Sequence, residues 1–532
     1  MTTSVSTLGR RAVAAAGIAA VGLLGLSPVA AADEQPNFGN IKESATGSIT
    51  IHKHIEGDGT VGTADGAGAN EGSTPVQGVQ FTAYPITDID LKTAEGWTSV
   101  TALAQDGAIP ESACAVPTAP TLRNHNVAGA GSTSGDTDSQ GLATISGLEV
   151  KAYLVCETKA PGDIVQKAKP FVVTIPYANT APGQEGNWIY DVHVFPKNQR
   201  IAINKTIEDQ RNNGYAVGSV VKFPVTSTLP ALDTNAYYKY FQFRDEMDSR
   251  LSDLAVPEVT LDSNPLTRDT DYQVTTEGRT LKVTFTKEGL AKLKAAAGKE
   301  VKAIFQGTVT SVGDGTIRNT AQLLSDTTYD TQPPNPEDPP LAPPVVPPTT
   351  PEVDTKWGDL KITKVDGHEQ NGTKTGLKGA EFEIYNAENP YATSCEGATK
   401  TGAALSVNGQ TKLTTNDQGV IDIAALFVSD SVPDGGRDNK ADATQRCYVL
   451  VETKAPTGYV LPQQAETPVT IKVGQVTDDN ITIENTKHAV PNLPLTGAAG
   501  KVLLTVAGAA LLMVAIGSVL VSRYRERKEA AL

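Results

Sequence analysis

A lysine, an asparagine and a glutamate in the last third of the chain each alternate with apolar residues. Lys364 follows Ile362 at a spacing of two. Asn485 follows Ile483 in the same way, and Glu452 lies in a third alternating segment. Side chains two apart share one face of a strand, so all three are predicted to face a core. Because burying a charge is costly, we expect a lowered pKa for the lysine and a raised pKa for the acid. A neutral amine can then displace ammonia from the asparagine side chain and form an amide.

The same residue types occur in the middle of the chain. Lys205 and Asn319 each alternate with isoleucine. Two acids, Asp245 and Glu246, are candidates for the third role. Asp245 is favoured because it shares strand parity with the phenylalanines two and four positions before it. For both sets the alternative is a buried salt bridge, or a surface location, without amide formation.

An internal repeat divides the chain. The segment YLVCETKAP at 153–161 recurs as YVLVETKAP at 448–456. Alternating segments that end in lysine occur at 48–53, 200–205 and 359–364. The repeat indicates related domains, and the three lysine-ended segments predict that there are three of them.

The first domain contains a third set of the same residue types. Lys53, Glu157 and Asn198 occupy the corresponding positions relative to the repeat. Whether these residues form an amide is left open.

The composition favours an all-β protein. With 48 glycines, 33 prolines and only 5% aromatic residues, the chain is typical of short strands joined by turns, in about three domains with modest cores. Long amphipathic helices are not expected. The net charge of -15 argues against nucleic-acid binding, which requires a concentrated basic surface. The proline-rich stretch from Pro333 to Pro351 predicts an extended, semi-rigid spacer.

Both ends of the chain carry export signals. Arg10 and Arg11 precede an apolar stretch that ends in small residues, which predicts a signal peptide over 1–32. An apolar run at 502–521 is long enough to cross a bilayer. The basic residues after it predict that the far end stays in the cytoplasm.

The four cysteines fall into two local pairs, Cys114 with Cys156 and Cys395 with Cys447. In an exported protein such pairs are most simply disulfides, each worth about 2–4 kcal/mol. Sequence alone leaves free thiols open. The spacing of cysteines and histidines matches no zinc signature or nucleophile motif, so no metal, cofactor or enzymatic active site is predicted.

Two other polar features have simple interpretations. His52 and His54 share a strand face, and we expect them to face solvent rather than to hold a metal. Asp136 begins a segment like a calcium loop. Gly147 stands where the closing glutamate is required, so a polar turn is predicted.

A different kind of lysine closes the first domain. In WIYDVHVFPKN at 188–198, Val192 and Val194 are predicted to face the core, which puts Lys197 on the opposite face. Pro196 interrupts the strand ladder beside it. The amine of Lys197 is therefore predicted to be available for chemistry.

Three of these features together resemble one family. LPLTG at 493–497 resembles the sortase sorting signal of Gram-positive surface proteins. The segment 188–198 resembles the pilin motif, with Phe195 in place of the usual tyrosine. The triads resemble those that form intramolecular isopeptide bonds in Cna-type Ig-like domains. The chain is therefore similar to major (shaft) pilins of sortase-assembled Gram-positive fimbriae of the actinomycete type.

The resemblance implies an all-β fold of three tandem Ig-like, Cna-type β-sandwich domains. The implied divisions are a signal peptide at 1–32, an N-terminal pilin domain at 33–198, a middle domain at 199–332, a proline-rich linker at 333–355, a C-terminal Cna B-type domain at 356–488, and the sorting signal with transmembrane helix and basic tail at 489–532.

The resemblance also assigns roles to residues. The sorting signal is Leu493, Pro494, Leu495, Thr496 and Gly497, cut after Thr496. The carbonyl of Thr496 is passed to Lys197 of the next subunit. Intramolecular bonds, formed without an enzyme, join Lys364 to Asn485 with help from Glu452, Lys205 to Asn319 with help from Asp245, and, as an open question, Lys53 to Asn198 with help from Glu157.

The implied function is that of a structural shaft subunit of a secreted, wall-anchored fimbria that supports adhesion and biofilm formation. Its implied partners are identical subunits head to tail, a pilus-specific sortase, a housekeeping sortase with peptidoglycan, a tip pilin, and, as an open question, host or bacterial surface glycans or proteins. A monomeric wall-anchored adhesin is the alternative, and an anchored enzyme is the least favoured class.

Overall fold

The computed structural model describes residues 40–57, 61–68, 73–105, 109–115, 121–179, 186–341, 343, 345–368, 374–432, 438–474, 481–487 and 498–529. Strands contain 45% of the residues and helices 12%, which confirms the predicted all-β class. The strands form three β-sandwiches in chain order, and a long apolar helix follows them.

The first sandwich has its core between two sheets, in the orders β13-β1-β7 and β10-β8-β3-β6, with β2-β14-β9 beside them. The first strands pair in parallel with the last, β1 with β13 and β2 with β14. The strands are β1 (Gly47–His52), β2 (His54–Ile55), β3 (Gln80–Ile86), β4 (Thr121–Leu122), β5 (His125–Asn126), β6 (Ser132–Thr133), β7 (Leu142–Leu148), β8 (Lys151–Lys159), β9 (Ile164–Gln166), β10 (Phe171–Ile175), β11 (Tyr177–Ala178), β12 (Trp188–Ile189), β13 (Asp191–Val194) and β14 (Lys197–Arg200).

A small lobe with its own core is inserted between β3 and β7. It contains the helix α1 (Ala94–Gln105), which the sequence analysis did not expect. The hydroxyl of Thr93 caps this helix by accepting a backbone hydrogen bond three residues later. Leu103 is buried in the lobe, and Trp97 stacks on Trp188 with ring centroids 5.4 Å apart. The lobe therefore supports the segment that leads to Lys197.

Both predicted disulfides are confirmed. The pair Cys114 and Cys156 ties the inserted lobe to β8. The pair Cys395 and Cys447 lies in a small apolar cluster of the third sandwich.

The middle sandwich packs a five-stranded sheet, β15-β16-β22-β18-β19, against a four-stranded sheet, β20-β21-β17-β24. Its helix α2 is capped by the Thr286 hydroxyl and buries leucines on one face. The elements are β15 (Ile203–Lys205), β16 (Val220–Thr228), β17 (Ala236–Glu246), β18 (Leu251–Leu261), β19 (Asn264–Pro265), β20 (Tyr272–Glu277), β21 (Thr280–Phe285), α2 (Lys287–Ala295), β22 (Glu300–Val309), β23 (Thr316–Asn319) and β24 (Ala321–Tyr329). Two short 3-10 helices, Glu111–Cys114 and Gln210–Asn212, lie in the first and middle sandwiches.

In the third sandwich, β25 pairs with β29 and, in parallel, with β32. The opposing sheet has the order β27-β26-β30-β31, with β28 also on β26. The strands are β25 (Val353–Asp366), β26 (Glu381–Ala387), β27 (Lys400–Thr401), β28 (Leu413–Thr414), β29 (Val420–Asp430), β30 (Gln445–Lys454), β31 (Glu466–Lys472) and β32 (Ile481–Asn485).

The proline-rich segment, predicted over 333–351 to be an extended, semi-rigid spacer, forms backbone hydrogen bonds with the middle sandwich. The backbone N–H of Leu323 donates to Pro348, and that of Thr350 donates to Ala321. The segment thus runs alongside β24, because the unpaired backbone N–H and C=O groups of an edge strand form hydrogen bonds with a neighbouring segment. The first four residues of β25 then pair with β23. The second and third sandwiches consequently share a strand at their junction.

The expectation that His52 and His54 face solvent is wrong for His54, which is 6% exposed. The backbone of His54 forms a β-bridge with Pro75, so a further chain segment lies beside the strand at this point. His52 is partly buried, with its ring stacked on Phe195 at 4.7 Å between centroids. Strand parity gives the face of a side chain but not what lies over that face.

The chain ends in the helix α3 (Ala498–Glu529). By length and composition, Thr505–Lys528 could cross a membrane. The predicted signal peptide at 1–32 and the LPLTG segment at 493–497 lie outside the described residues.

Candidate functional site

The triad of the third sandwich lies in one buried cluster. Lys364 Nζ donates to Asn485 Oδ1 at 2.7 Å, and Asn485 Nδ2 donates to Glu452 Oε1 at 2.6 Å. Glu452 Oε2 lies 3.1 Å from the amine and closes the triangle. All three residues are at most 2% exposed. Burial lowers the pKa of Lys364, and the attraction of Glu452 opposes this shift.

Strand pairing brings these three residues together. β32 runs parallel to β25, with Asp366 as the cross-strand partner of Asn485. Lys364 lies two residues before that partner and therefore shares its face. Glu452 comes from β30 in the opposing sheet, where its partner is Phe382.

The first sandwich repeats this register. Ile55 is the cross-strand partner of Asn198, and Lys53 lies two residues before Ile55. Glu157 pairs with Phe81, as Glu452 pairs with a phenylalanine in the third sandwich. The repeat seen in the sequence thus extends to the relative positions of lysine, asparagine and glutamate.

The contacts of the first triad differ in one respect. Lys53 Nζ lies 3.0 Å from Glu157 Oε2, and Asn198 Nδ2 donates to Glu157 Oε1 at 3.0 Å. Among the described residues, nothing donates a hydrogen bond to Asn198 Oδ1. Burial lowers the pKa of Lys53 to about 8, despite the attraction of Glu157.

In the middle sandwich, Lys205 and Asp245 form an ion pair in which both side chains are fully buried. Burial lowers the pKa of Lys205 and raises that of Asp245, and the attraction between the two charges opposes both shifts. Glu246 is exposed. The acid that contacts the amine is therefore Asp245.

Asn319 of the middle sandwich lies on β23 and is 3% exposed. Its Nδ2 lies 3.5 Å from the sulfur of Met247, a weak acceptor. In the part of the chain that the structure describes, its Oδ1 has no hydrogen-bond partner. The carbonyl of this amide is thus left without a competing donor.

Aromatic rings beside the buried amines were missed by the sequence analysis. Lys53 Nζ lies 5.6 Å from the ring centroid of Phe81. Lys205 Nζ lies 5.2 Å and 5.8 Å from the centroids of Phe223 and Phe305. These rings shield the amines from water and stabilise their charged form. Their alternation along apolar strands was a usable signal.

Each cluster combines a nucleophile, an electrophile and a proton carrier. A lowered pKa increases the fraction of neutral, nucleophilic amine. A carboxyl group beside the amine can carry a proton between groups in a site that excludes water. Within the described residues, no group of three or more His, Cys, Asp or Glu side chains is arranged to hold a metal ion.

Lys197 lies on β14 next to Asn198 of the first triad, and the two side chains lie on opposite faces of that strand. It is partly exposed whereas Asn198 is buried, as expected for adjacent residues of a strand. Partial burial lowers the pKa of Lys197, and the charge of Glu56 opposes this shift. Thr496, its predicted reaction partner, lies outside the described residues.

Comparison with known proteins identifies the family. Residues 44–199 match a model described as "Gram-positive pilin subunit D1, N-terminal domain", residues 358–487 a "Prealbumin-like fold domain", and residues 485–530 the "LPXTG cell wall anchor motif". The chain is 57% identical to a fimbrial subunit type 2 of Actinomyces naeslundii, over 99% of this chain and 98% of the relative. The chain belongs to the Gram-positive fimbrial subunits. A second member, the fimbrial subunit type 1 of Actinomyces viscosus, is 32% identical over 98% of this chain and 99% of its own.

A solved structure agrees with this assignment. The fimbrial subunit is similar to the full-length major pilin SpaD from Corynebacterium diphtheriae, with a TM-score of 0.60 and 29% identity over 85% of this chain and 100% of that one. The fimbrial subunit is therefore a structural, wall-anchored shaft subunit rather than an enzyme, and it is displayed on the cell surface. Such subunits assemble into fimbriae through sortase and are anchored to the wall. The resemblance inferred from the sequence is confirmed.

Proposed function

We propose that the fimbria is a covalent chain in which Thr496 of one subunit is joined to Lys197 of the next. A sortase cysteine would cleave the bond between Thr496 and Gly497 and hold Thr496 as a thioester. The neutral amine of Lys197 would attack that carbonyl, so that a C–N bond forms, the C–S bond breaks and the cysteine thiol is released. The partly exposed position of Lys197, on the face opposite the core, supports this role.

We further propose that each subunit is stiffened by amides that it forms itself. The neutral amine of Lys364 attacks the side-chain carbonyl carbon of Asn485. An amide forms, and ammonia leaves with a proton carried by Glu452. The closed triangle of 2.6 Å, 2.7 Å and 3.1 Å contacts is the observation that carries this proposal, because the leaving nitrogen and the amine both touch the same acid.

The same reaction is proposed for the other two sandwiches. In the middle sandwich Lys205 joins Asn319 with Asp245 as the acid, which the ion pair and the raised pKa of Asp245 support. In the first sandwich the shared register supports a bond between Lys53 and Asn198 assisted by Glu157.

The remaining proposed partners follow from assembly. A pilus-specific sortase joins identical subunits head to tail, a housekeeping sortase transfers the last subunit to peptidoglycan, and a tip pilin occupies the free end. Contact with surface glycans or proteins of a host or of other bacteria, which would support adhesion and biofilm formation, is the least specified part of this proposal.

The joint is tested by replacing Lys197 with Arg in the native host. Wall extracts boiled in detergent should change from a ladder of high-mass bands to a single band, because arginine keeps the charge but is not acylated. Lys151→Arg, at another partly exposed lysine of the same sandwich, is the matched control and should leave the ladder intact. A ladder that survives Lys197→Arg would show that another lysine is used. A single band from the unmodified protein would favour a monomeric adhesin.

The internal amides are tested by the intact mass of the subunit. Each bond removes one molecule of ammonia relative to the mass expected from the sequence with its disulfides. Peptide mapping should recover Lys364 and Asn485 in one cross-linked fragment. An unshifted mass would exclude all three bonds without bearing on the joint at Lys197.

A further inference from the structure

Three histidines lie on the strand face that carries Lys197. In the parallel pairing of β1 with β13, Thr50 is opposite His193, and in that of β2 with β14, His54 is opposite Lys197. His52 lies between them, with its Nε2 2.8 Å from His193 Nδ1. Paired residues of neighbouring strands project to one face and are about 5 Å apart. The histidines and Lys197 therefore form a single row outside the core.

His54 is the member of this row that pairs directly with Lys197 across the two strands. It is a buried base, and one of its ring nitrogens is available to accept a proton. It is 6% exposed, and its Nδ1 has no hydrogen-bond partner among the residues that the structure describes. A buried polar atom without a partner costs about 1–3 kcal/mol, and such atoms require an explanation. The backbone of His54 is held by the β-bridge to Pro75 and by the strand pairing with Lys197.

The charges around His54 keep it neutral. Burial lowers its pKa, a hydrogen bond with the backbone of His52 opposes this, and the positive charge of Lys197 lowers the pKa further. The pKa of His52 is lowered to about 4 by burial and by its neighbours. Among the described residues, the other titratable groups that interact with the members of this row are Lys53 and Glu56 on the same segment, Asp65 beside His193, and Asp233 beside Glu56.

We propose that His54 is the proton acceptor for Lys197 when that lysine is acylated, an inference that rests on the proposed function of Lys197. The amine attacks the thioester carbonyl of the sortase-bound subunit, and a C–N bond forms as the C–S bond breaks. The proton lost from Nζ passes to Nδ1 of His54, and the cysteine leaves as thiolate. His54 then returns that proton to solvent or to the thiolate.

This role explains why a base with a vacant nitrogen is kept beside a lysine that must lose a proton. The nitrogen of an attacking amine becomes positively charged as the C–N bond forms, and the amide is reached only when this nitrogen loses a proton. A positioned base typically contributes about 10²–10⁴ in rate. His54 provides such a base within the acceptor subunit, so the acceptor contributes to its own activation.

The test uses the full chain in detergent micelles, a purified pilus sortase and a peptide that carries Leu-Pro-Leu-Thr-Gly. The initial rate of peptide attachment is measured by mass spectrometry of digests between about pH 4.5 and about pH 9. His54→Phe keeps a buried ring and removes both nitrogens. We expect it to lower the rate about 100-fold near pH 7, with the deficit shrinking as the pH falls through the lowered pKa of His54, because the unmodified chain then loses its base as well. His125→Phe, on the inserted lobe, is the control and should match the unmodified chain.

The outcomes separate this inference from the proposed joint. If the digest of the unmodified chain shows the peptide on another lysine, the joint at Lys197 is wrong and this inference falls with it. If the peptide is on Lys197 but His54→Phe reacts at the normal rate, or is slower by one factor at every pH, His54 has no proton-accepting role. A pH-dependent loss in Glu56→Gln instead of His54→Phe would assign the proton to the glutamate. If His54→Phe does not fold, His54→Gln is tested by the same profile.

Discussion

Replacing Lys364 with Met gives the sharpest test of the internal amides. The side chain is fully buried, and its amine lies 2.7 Å from the Asn485 carbonyl oxygen, so methionine fills a similar volume without a nucleophile. In this variant Asn485 Nδ2 can still donate a hydrogen bond to Glu452 Oε1. The variant therefore removes the bond while disturbing the packing little.

The expected loss of stability follows from the loop that the bond closes. Lys364 and Asn485 are 121 residues apart, and a cross-link over such a loop removes about 5 kcal/mol of entropy from the unfolded chain. The third sandwich of Lys364→Met should therefore unfold at a clearly lower urea concentration, with its free energy of unfolding reduced by about 5 kcal/mol. Relative to the mass expected from its own sequence, the variant should have lost one molecule of ammonia fewer than the parent.

A control and a refuting result complete the experiment. Lys454→Met removes an exposed lysine of the same sandwich, which is paired with Glu381 at 2.7 Å, and should change stability by less than about 1 kcal/mol. If Lys364→Met unfolds within about 1 kcal/mol of the parent, the amide does not constrain this sandwich. The register argument for the first sandwich would lose its basis as well.

Three further predictions concern the other junctions. In an Asn198→Ala chain Lys53 stays an amine, with a pKa of about 8 in the folded state and the ordinary 10.5 in the unfolded state. Between these two pH values only the unfolded state binds the proton, so the free energy of unfolding in urea should rise by roughly 3 kcal/mol as the pH rises from about 8 to 10.5. A Lys53→Met chain should show no such rise. Gly162→Val should expose the proline-rich segment to limited proteolysis, because a Cβ would lie 2.0 Å from the Val346 carbonyl oxygen, whereas Gly135→Val meets open space and should not. The guanidinium of Arg446 is fully buried, lies 2.7 Å from an aspartate and stacks on a tyrosine of the middle sandwich. Arg446→Met should therefore lower the free energy of unfolding in urea by about 3 kcal/mol, and an unchanged midpoint would contradict this.

The triads were predictable because a period of two is explicit in the sequence. Lysine, asparagine and acid each alternate with apolar residues, and the strands of the folded chain bury the same faces. The choice of Asp245 over Glu246 rested on the same rule, and the former is buried while the latter is exposed. The disulfides were predictable for a different reason, since each pair is local and the chain is exported.

Elements that depend on distant pairing were not predictable in this way. β25 continues across two sandwiches because its first residues pair with β23, and nothing within 353–366 indicates that partner. The β-bridge between His54 and Pro75 likewise joins two separate segments, and neither segment indicates the other in the sequence. The helix α1 did have local signals, a threonine cap and apolar residues spaced by three, but it is too short to alter the composition.

The positions of the proposed amides determine how a fimbria carries tension. The chain enters the third sandwich on β25 and leaves on β32, and these two strands are parallel neighbours. A pull on their opposite ends shears a ladder of hydrogen bonds worth about 1 kcal/mol each. The proposed bond between Lys364 and Asn485 would join the same two strands, so that force would pass through an amide before the ladder is loaded. With the proposed joint at Lys197, force would enter the first sandwich directly beside Asn198 and continue into β15, where Lys205 begins the next sandwich. Tension would thus reach the middle sandwich without crossing the sheets of the first, and those sheets would remain available for the pairing that holds Lys197 and His54 in register.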